Sequence, residues 1–444
     1  MPIFFSYLSR FFAFLSHLRY NTKRNEIYKE MDTMKKTILL LGIIFFLLLI
    51  LGVGIFFFWR HTSTPTENTL PSENISQEEN ILFVLNTTEN TNIIPEPPTH
   101  TATVYTGIFE LPINGTTGFA SVALPLYEDH PANGNAKKLA TISAGKAFCI
   151  QEENGEYFRI TLADETTGWI ESKYCLVNLP DILPSIVYDD TNSYSSIFRS
   201  SGYALDGITG KRLYNAKKEN TRLEKEEFLM PVLYPMAKKI AQVQKDALAN
   251  EDTLKIYETY RPYEVQMKVS DSLTKLMDAN ETVAAGINTK PWGKSWFIAT
   301  QLSNHQRGIA MDVSLAKIQQ TEIRQSGNYS YKVVTEHEEY KMPTKMHELS
   351  KAAATFTSPV SSKSKTDWKK AKLAPTMTEG AKKLQQYCTE HELYPLASEW
   401  WHFNDLDARE DTKAHGSNGK YYLKDCLSTA PAKEETNTKQ QAIQ

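Results

Sequence analysis

Two short segments of this chain carry residue types that together can bind a catalytic metal ion. His305 and Asp312 lie on either side of a glycine in the segment 303–312, and a second segment holds Glu399 and His402. A catalytic zinc ion takes three ligands from His, Asp or Glu and leaves its fourth position to water, whose pKa it lowers to about 7. We therefore predict one zinc ion bound by His305, Asp312 and His402. Zinc is preferred to manganese or iron on ligand type and reaction alone.

Hydrolysis of an amide also needs a base beside the metal, and Glu399 is the candidate. It would take a proton from water and pass it to the leaving nitrogen. His305 and Asp312 are seven positions apart, so they would face opposite sides of an unbroken strand. A turn at Arg307 and Gly308 is therefore predicted. Glu399 and His402 are three positions apart in the second segment, so they too would face opposite sides of an unbroken strand. Bringing both to one metal ion requires either a helical turn or a bend at the tryptophans.

Hydrophobic periodicity predicts the elements that hold these segments. Two helical stripes of apolar residues flank a strand that contains Leu254 and Ile256. The stripes are Met236, Ile240, Val243 and Ala247, with Pro235 near the helix start, and Val265, Val269, Leu273 and Leu276. Arg261 then lies at a corner between strand and helix, where functional side chains are often presented. These patterns predict an α+β fold for this half of the chain.

The two metal-binding segments resemble a known family. The pattern S-x-H-x-x-G-x-A-x-D followed by E-x-x-H is similar to that of the zinc D-alanyl-D-alanine peptidases. This group contains the vancomycin-resistance carboxypeptidases and dipeptidases, belongs to the LAS metallopeptidases and shares its fold with hedgehog signalling domains. Two tryptophans before His402 resemble the dipeptidase branch most. The segments 204–214, 254–262 and 342–350 are also similar to dipeptidase stretches.

The resemblance covers about residues 181–428 and departs from the family in 277–300 and 358–378. It implies zinc at His305, Asp312 and His402, and Glu399 as acid and base. It also implies that Arg261 polarises the scissile carbonyl or stabilises the oxyanion, which suits a guanidinium with fixed charge and two coplanar donors. Ser303 is expected close to the substrate. Gln266, about one helical turn past Arg261, is predicted to support substrate binding.

Composition and charge narrow the class of protein. The chain has 444 residues and a formal charge of −3 with acids and bases interspersed. That length predicts several domains. The charge distribution argues against a positively charged surface that binds nucleic acid. Residues 37–59 are apolar and follow many basic residues, which predicts one membrane-spanning helix with the N-terminal 1–36 in the cytoplasm. A cleaved signal peptide is the alternative, and translation could start at Met31 or Met34 instead.

Between the predicted membrane helix and the peptidase segment lie a linker and a small β domain. Residues 60–117 are rich in Thr, Asn, Ser, Glu and Pro and are predicted to be a flexible tether. Residues 118–180 alternate short strands with turns, including a tight hairpin at Asn154 and Gly155, and look like a bacterial SH3-type barrel. Such domains commonly bind cell-wall peptides, although a spacer is the alternative. The catalytic domain is predicted at 181–428 and a disordered tail at 429–444.

Four cysteines in a region predicted to be exported suggest disulfides. Pairing within domains would join Cys149 with Cys175 and Cys388 with Cys426. Free thiols are the alternative.

These observations predict a bacterial membrane-anchored zinc peptidase whose catalytic domain faces outward. Outside the membrane, D-Ala-D-Ala is found at the end of peptidoglycan stem peptides, which favours D,D-carboxypeptidase activity. A dipeptidase acting on free D-Ala-D-Ala is the close alternative, and an endopeptidase cutting elsewhere in the stem is a third. A non-catalytic zinc module that binds or senses the cell wall is the alternative from another class.

Overall fold

The computed structural model describes residues 102–189, 198–205 and 218–432, and all structural statements below concern these ranges. Within them the chain forms mixed β-sheets and a few helices. The helices are α1 Tyr234–Ala249, α2 Tyr263–Ala279, α3 Glu281–Asn288, α4 Lys294–Phe297, α5 Glu379–Glu390 and α6 Leu406–Asp411. The strands are β1 Thr103–Val104, β2 Thr117–Ala120, β3 Leu124–Tyr127, β4 Lys138–Ile142, β5 Ala147–Asn154, β6 Tyr157–Thr161, β7 Thr167–Glu171, β8 Cys175–Asn178, β9 Val187–Tyr188, β10 Arg199–Ser200, β11 Tyr203–Ala204, β12 Lys218–Asn220, β13 Lys225–Glu227, β14 Pro231–Leu233, β15 Asp252–Glu258, β16 Ala310–Ser326, β17 Tyr329–Glu339, β18 Tyr394–Leu396 and β19 Glu399–Asn404.

The first sheet is built around the long strand β16. Its order is β1-β17-β16-β15-β9, and β19 also pairs with β16 while β18 pairs with β19. The first seven residues of β16 are all buried, as expected for a strand covered on both faces. In the antiparallel register, Asp312 lies opposite Glu258 on β15 and opposite His402 on β19. The sheet therefore brings three ionisable residues from distant segments side by side.

The predicted helical stripes are confirmed. Met236, Ile240, Val243 and Ala247 of α1 are buried, and α1 begins with a proline in its first turn. Proline is tolerated there because the first helical N–H groups have no partner within the helix. In α2, Val265, Val269 and Leu273 are buried, while Leu276 is partly buried against the same core. Helix α1 packs on β15, and α5 packs on β16 and β19.

The predicted SH3-like barrel is wrong. The second sheet has the order β14-β8-β2-β5-β6-β7-β3-β4, and its two end strands do not pair with each other within the described residues. The edge of β8 is instead paired with β14, a strand that begins about fifty positions later in the chain. The hairpin at Asn154 and Gly155 is confirmed, with Gly155 at φ +58° between β5 and β6. The fold class is thus corrected to mixed sheets with few helices.

Several predicted segments lie outside the described residues. These include the N-terminal 1–36, the span 37–59, most of the linker 60–117, and residues 433–444 of the tail. Among the described residues, none of the helices combines the length and the apolar character needed to cross a membrane. Residues 102–117 of the predicted linker are described, and Phe109 and Leu111 within them are buried.

The two predicted disulfides are not formed, because all four cysteines are free. Cys149 lies on β5 and Cys175 on β8, with β2 between these strands. Two strand spacings of about 4.8 Å place the pair beyond the roughly 7 Å that a disulfide tolerates between Cα atoms. Cys388 is buried in α5, whereas Cys426 lies 3.6 Å from the hydroxyl of Thr117 in the second sheet.

Candidate metal centre

The turn predicted between His305 and Asp312 is confirmed. His305 begins a 3-10 turn that ends at Arg307, and Gly308 follows with φ +70°, a left-handed conformation that favours glycine. A Cβ atom at Gly308 would lie 2.2 Å from the side chain of Leu176, so any other residue here would force this buried leucine to move. The chain then enters β16, which turns the carboxylate of Asp312 towards the imidazole of His305.

The three predicted ligands converge on one point. His305 Nε2 lies 3.3 Å from Asp312 Oδ1 and 3.2 Å from His402 Nδ1. His402 Nδ1 lies 2.9 Å from the same Asp312 oxygen, and all three side chains are buried. Ligands about 2.0–2.1 Å from a tetrahedral ion lie about 3.3 Å from each other. The triangle therefore fits a metal ion of this size with a small expansion.

Neighbouring oxygens fix the tautomers of both histidines. His305 Nδ1 lies 2.6 Å from the carbonyl oxygen of Thr259, and His402 Nε2 lies 3.0 Å from Asn404 Oδ1. Asn304 donates to the same Asn404 oxygen, which identifies it as the acceptor of that amide. Because both partners can only accept, the outer nitrogens carry the protons and the inner nitrogens are left with lone pairs.

The electrostatics of the centre call for a cation. Burial lowers the pKa of His305, and the charges of Arg261 and His402 lower it further. Burial opposes protonation of His402 as well, but the hydrogen bond and charge of Asp312 outweigh it and raise its pKa. Burial also opposes ionisation of Asp312, yet contacts with His305, His347 and His402 hold its pKa well below the usual value. Positive charge at the centre, as a proton or as a metal ion, balances the ionised carboxylate.

The second oxygen of Asp312 is held away from the centre. Oδ2 accepts from Arg261 Nη2 at 3.1 Å and from His347 Nε2 at 3.0 Å. These contacts leave Oδ1 alone to face the two predicted histidine ligands. Glu258, Asp312 and His347 also lie close enough together to hold a cation. However, Arg261 already pairs with Glu258 in that cluster, donating from Nε at 3.0 Å and also from Nη2.

Arg261 lies beside the centre at the predicted corner between β15 and α2. It is buried, and besides Glu258 and Asp312 its Nη1 donates to Gln266 Oε1 at 2.7 Å. Gln266 in turn donates to the carbonyl of Ala299 at 3.0 Å. Both residues also line the cleft described below. The structure thus places Gln266 as the support of Arg261.

Ser303 lies at the rim of the same cleft and is held by Gln306. Its backbone N–H and its hydroxyl both donate to Gln306 Oε1, each at 2.7 Å. The amide of Gln306 donates to the carbonyl of Arg261 at 2.8 Å. Gln306 therefore connects the metal-binding turn to the arginine corner, a role that the sequence analysis missed.

Glu399 reaches the centre through a bulge, the second of the two predicted alternatives. In the pairing of β18 with β19, Pro395 lies opposite Phe403 but Leu396 lies opposite Glu399, so the strand bulges at the tryptophans. Glu399 Oε2 lies 3.7 Å from His402 Nδ1. Burial is the main cause that raises the pKa of Glu399 to about 8, and the charge of Asp312 adds to it.

A cleft of about 390 Å³ opens onto the centre. Its wall contains His305, His402 and Glu399, together with residues 295–299 from one of the segments that departs from the resembled family. The two predicted histidine ligands, the predicted base and Arg261 therefore border one space.

Two further neighbours of the centre were missed by the sequence analysis. His347 is buried, stacks on Phe198 with a centroid distance of 4.6 Å and has φ +58°, rare for a residue with a side chain. Its Nδ1 has no hydrogen-bond partner within the described residues. The second neighbour is Glu258, opposite Asp312 in the sheet. Glu258 lies in the segment 254–262 and His347 in the segment 342–350, the two stretches whose similarity to the dipeptidases could have drawn attention to them.

Comparison with protein-family models and with curated proteins finds no match for this chain. The likeness to zinc D-alanyl-D-alanine peptidases therefore stays a prediction that depends on the segments 303–312 and 399–402. The geometry of those segments supports a metal centre independently of the likeness.

Proposed function

We propose that this chain is a zinc peptidase that hydrolyses D-alanyl-D-alanine bonds, acting as a D,D-carboxypeptidase on peptidoglycan stem peptides. The observation that carries the proposal is the convergence of three buried acceptor atoms with no proton fixed between them. Two of these atoms are imidazole nitrogens of His305 and His402. The tautomer of each ring is fixed by an oxygen that accepts from its other nitrogen. The third atom is a carboxylate oxygen of Asp312. A buried carboxyl group, Glu399, stands next to them on the wall of a cleft.

The chain's own residues supply the remaining steps. A bound zinc ion would lower the pKa of its water and polarise the substrate carbonyl. Glu399 would accept the proton of the attacking water and return it to the leaving nitrogen. Burial raises the pKa of Glu399 to about 8 in the site without an ion, and the charge of a bound zinc ion would lower it towards neutrality, where a carboxyl group can transfer a proton in both directions. Arg261 holds its charge beside the centre, where negative charge develops on the carbonyl oxygen.

A dipeptidase acting on free D-Ala-D-Ala is the second candidate, and one observation favours it. The two tryptophans before His402 resemble the dipeptidase branch, and both are buried at the bulge that presents Glu399. A zinc-containing module without turnover is the candidate from another class. The presence of Glu399 and Arg261 at the cleft speaks for turnover.

Product analysis tests the proposal. The purified full chain, loaded with zinc, is incubated with a stem pentapeptide and, separately, with free D-Ala-D-Ala. Mass spectrometry should detect release of the last D-alanine from the pentapeptide. Cleavage of the dipeptide alone would favour the dipeptidase, and loss of an internal fragment would favour an endopeptidase.

Replacement of the base separates an enzyme from a binding module. Glu399→Gln keeps the shape of the side chain and should retain zinc in metal analysis. Turnover should fall by about 10²- to 10⁴-fold, the usual contribution of a general base. If zinc-loaded wild type and Glu399→Gln both leave every substrate intact, the module is the better description.

A further inference from the structure

The cleft at the metal centre has an uneven set of charges. Among the described residues that line it, Glu399 is the only acid. Arg261, Lys363 and Arg409 line the same space and are basic. If Glu399 serves the chemistry, the described residues that line the cleft include no second carboxylate to receive an ammonium group. Its surplus of positive charge suits a ligand that brings negative charge.

Arg409 is a basic residue of this set whose side chain is available to bind a ligand. It lies on α6, the helix that follows β19 and its two site residues Glu399 and His402. Its side chain is half-buried, and within the described residues its guanidinium has no hydrogen bond or ion pair. Arg261, by contrast, is fully engaged with Glu258, Asp312 and Gln266.

The surroundings of Arg409 add to this positive charge. Arg307 lies close enough to Arg409 for the two positive charges to repel each other. Arg307 also has no side-chain ion pair among the described residues. Glu410, the residue after Arg409, interacts with the charge of Arg409 but forms its ion pair with Lys413. Two guanidinium groups that repel each other are stabilised when an anion binds between or beside them. Lys363 is exposed and likewise lacks an ion pair in the described part of the chain.

We propose that Arg409, assisted by Lys363, binds the terminal carboxylate of the substrate. The inference rests on the proposed peptidase function and deepens it by naming the substrate class. A guanidinium offers two parallel N–H donors that match the two oxygens of a carboxylate, and partial burial strengthens this pairing relative to open solvent. The preferred substrate is then a peptide with a free carboxyl terminus and an acylated, uncharged nitrogen. A free dipeptide would bring in an ammonium group for which the described lining of the cleft offers no acid besides Glu399.

A matched pair of ligands tests the carboxylate site. Nα-acetyl-L-Lys-D-Ala-D-Ala with a free carboxyl terminus is compared with the same peptide as a C-terminal amide. Binding is measured by calorimetry to zinc-loaded Glu399→Gln, in which the peptide should survive, and hydrolysis is measured with the wild-type base. The acid should bind about 10- to 100-fold more tightly than the amide, the range expected for one hydrogen bond to a charged group.

Variants of Arg409 decide whether that residue is responsible. Adding Arg409→Gln should weaken binding of the acid by about 10- to 100-fold and leave the amide unchanged, and KM should rise more than kcat falls. Arg409→Lys keeps the charge without the paired donors and should have an intermediate effect. Arg324→Gln, at an exposed arginine far along β16 that pairs with Glu322, is the control and should change nothing.

The outcomes separate this inference from the proposed function. Preference for the acid that Arg409→Gln removes supports the inference, even if wild type hydrolyses neither peptide and the peptidase proposal fails. Equal binding of acid and amide overturns the inference, whether or not hydrolysis occurs. The inference also fails if the preference survives Arg409→Gln and the variant keeps the circular dichroism spectrum of the parent.

Discussion

Two clusters of buried charge in this molecule look alike but differ in how their donors and acceptors match. Around Arg222, which is 1 % exposed, the guanidinium donates to the carbonyls of Asp181, Asn114 and Pro112. The carboxylate of Asp181 accepts from the backbone of Thr117 and from side chains on two other segments. At the metal centre, three acceptors face one another instead.

The difference teaches that burial of charge alone does not mark a functional site. The Arg222 cluster joins several segments of the second sheet and its neighbours, and its ionic groups are satisfied by protein atoms. The facing acceptors of His305, Asp312 and His402 are matched only by a proton or a metal ion. A mismatch between donors and acceptors is therefore the more useful sign of function, since buried polar groups are otherwise almost always paired.

Removing Arg222 should give the largest loss of stability. Arg222→Ala leaves the buried carbonyls of Asp181, Asn114 and Pro112 without their donor and removes the positive charge near the Asp181 carboxylate, which should cost about 3–5 kcal/mol of unfolding free energy. Urea denaturation measures this loss. Zinc bound per molecule should stay the same under native conditions, because Arg222 belongs to the other cluster. A variant that stays stable but loses zinc would show that the two clusters are coupled.

The pH dependence of stability should sharpen the contrast between the two clusters. Glu227 belongs to the cluster around Arg222, because Asn220 donates to both Glu227 and Asp181. Burial raises the pKa of Glu227 to about 7 in the folded chain, and the charge of Asp181 adds to it. Above about pH 4.5 the unfolded chain loses this proton while the folded chain keeps it, so stability falls up to about pH 7 and then levels off. The loss should reach about 3 kcal/mol.

Glu227→Gln is the matched variant for this titration, since it keeps the shape without the proton. Urea denaturation from pH 4 to 8 should show a flatter curve for the variant than for wild type. Parallel curves for both proteins would contradict the assignment of the titration to Glu227.

The smallest expected effect concerns the residue behind His402. Asn404→Ala removes the acceptor that fixes the proton on His402 Nε2, and zinc affinity should fall by about 10- to 100-fold. A competition assay with a chelator measures the change. Asn404→Asp retains an acceptor oxygen and should keep most of the affinity. If both variants bind zinc as wild type does, the tautomer is set by another group.

Much of the candidate site could be predicted because it depends on local geometry. The odd separation of His305 and Asp312 requires a bend, and a glycine that tolerates positive φ stands at that bend. The helical stripe of α1 depends only on the period of the helix. Both predictions use contacts within a short stretch of chain.

What could not be predicted depends on pairing between distant segments. The barrel expected for 118–180 fails because β14, from later in the chain, takes the edge of β8. The disulfide expected between Cys149 and Cys175 fails because β2 lies between their strands. His347 reaches Asp312 from another segment with an unusual backbone conformation, which spacing alone does not reveal.

The register of β16 has a consequence for folding. Asp312 faces Glu258 on one side and His402 on the other, and slippage by a single residue would turn its carboxylate to the opposite face of the sheet. Molecules that refold with mispaired strands would then lose a ligand while keeping most of their secondary structure. The amount of metal bound after refolding would therefore report the fraction of molecules with the correct strand register. A far-ultraviolet circular dichroism spectrum cannot distinguish these molecules from the mispaired ones.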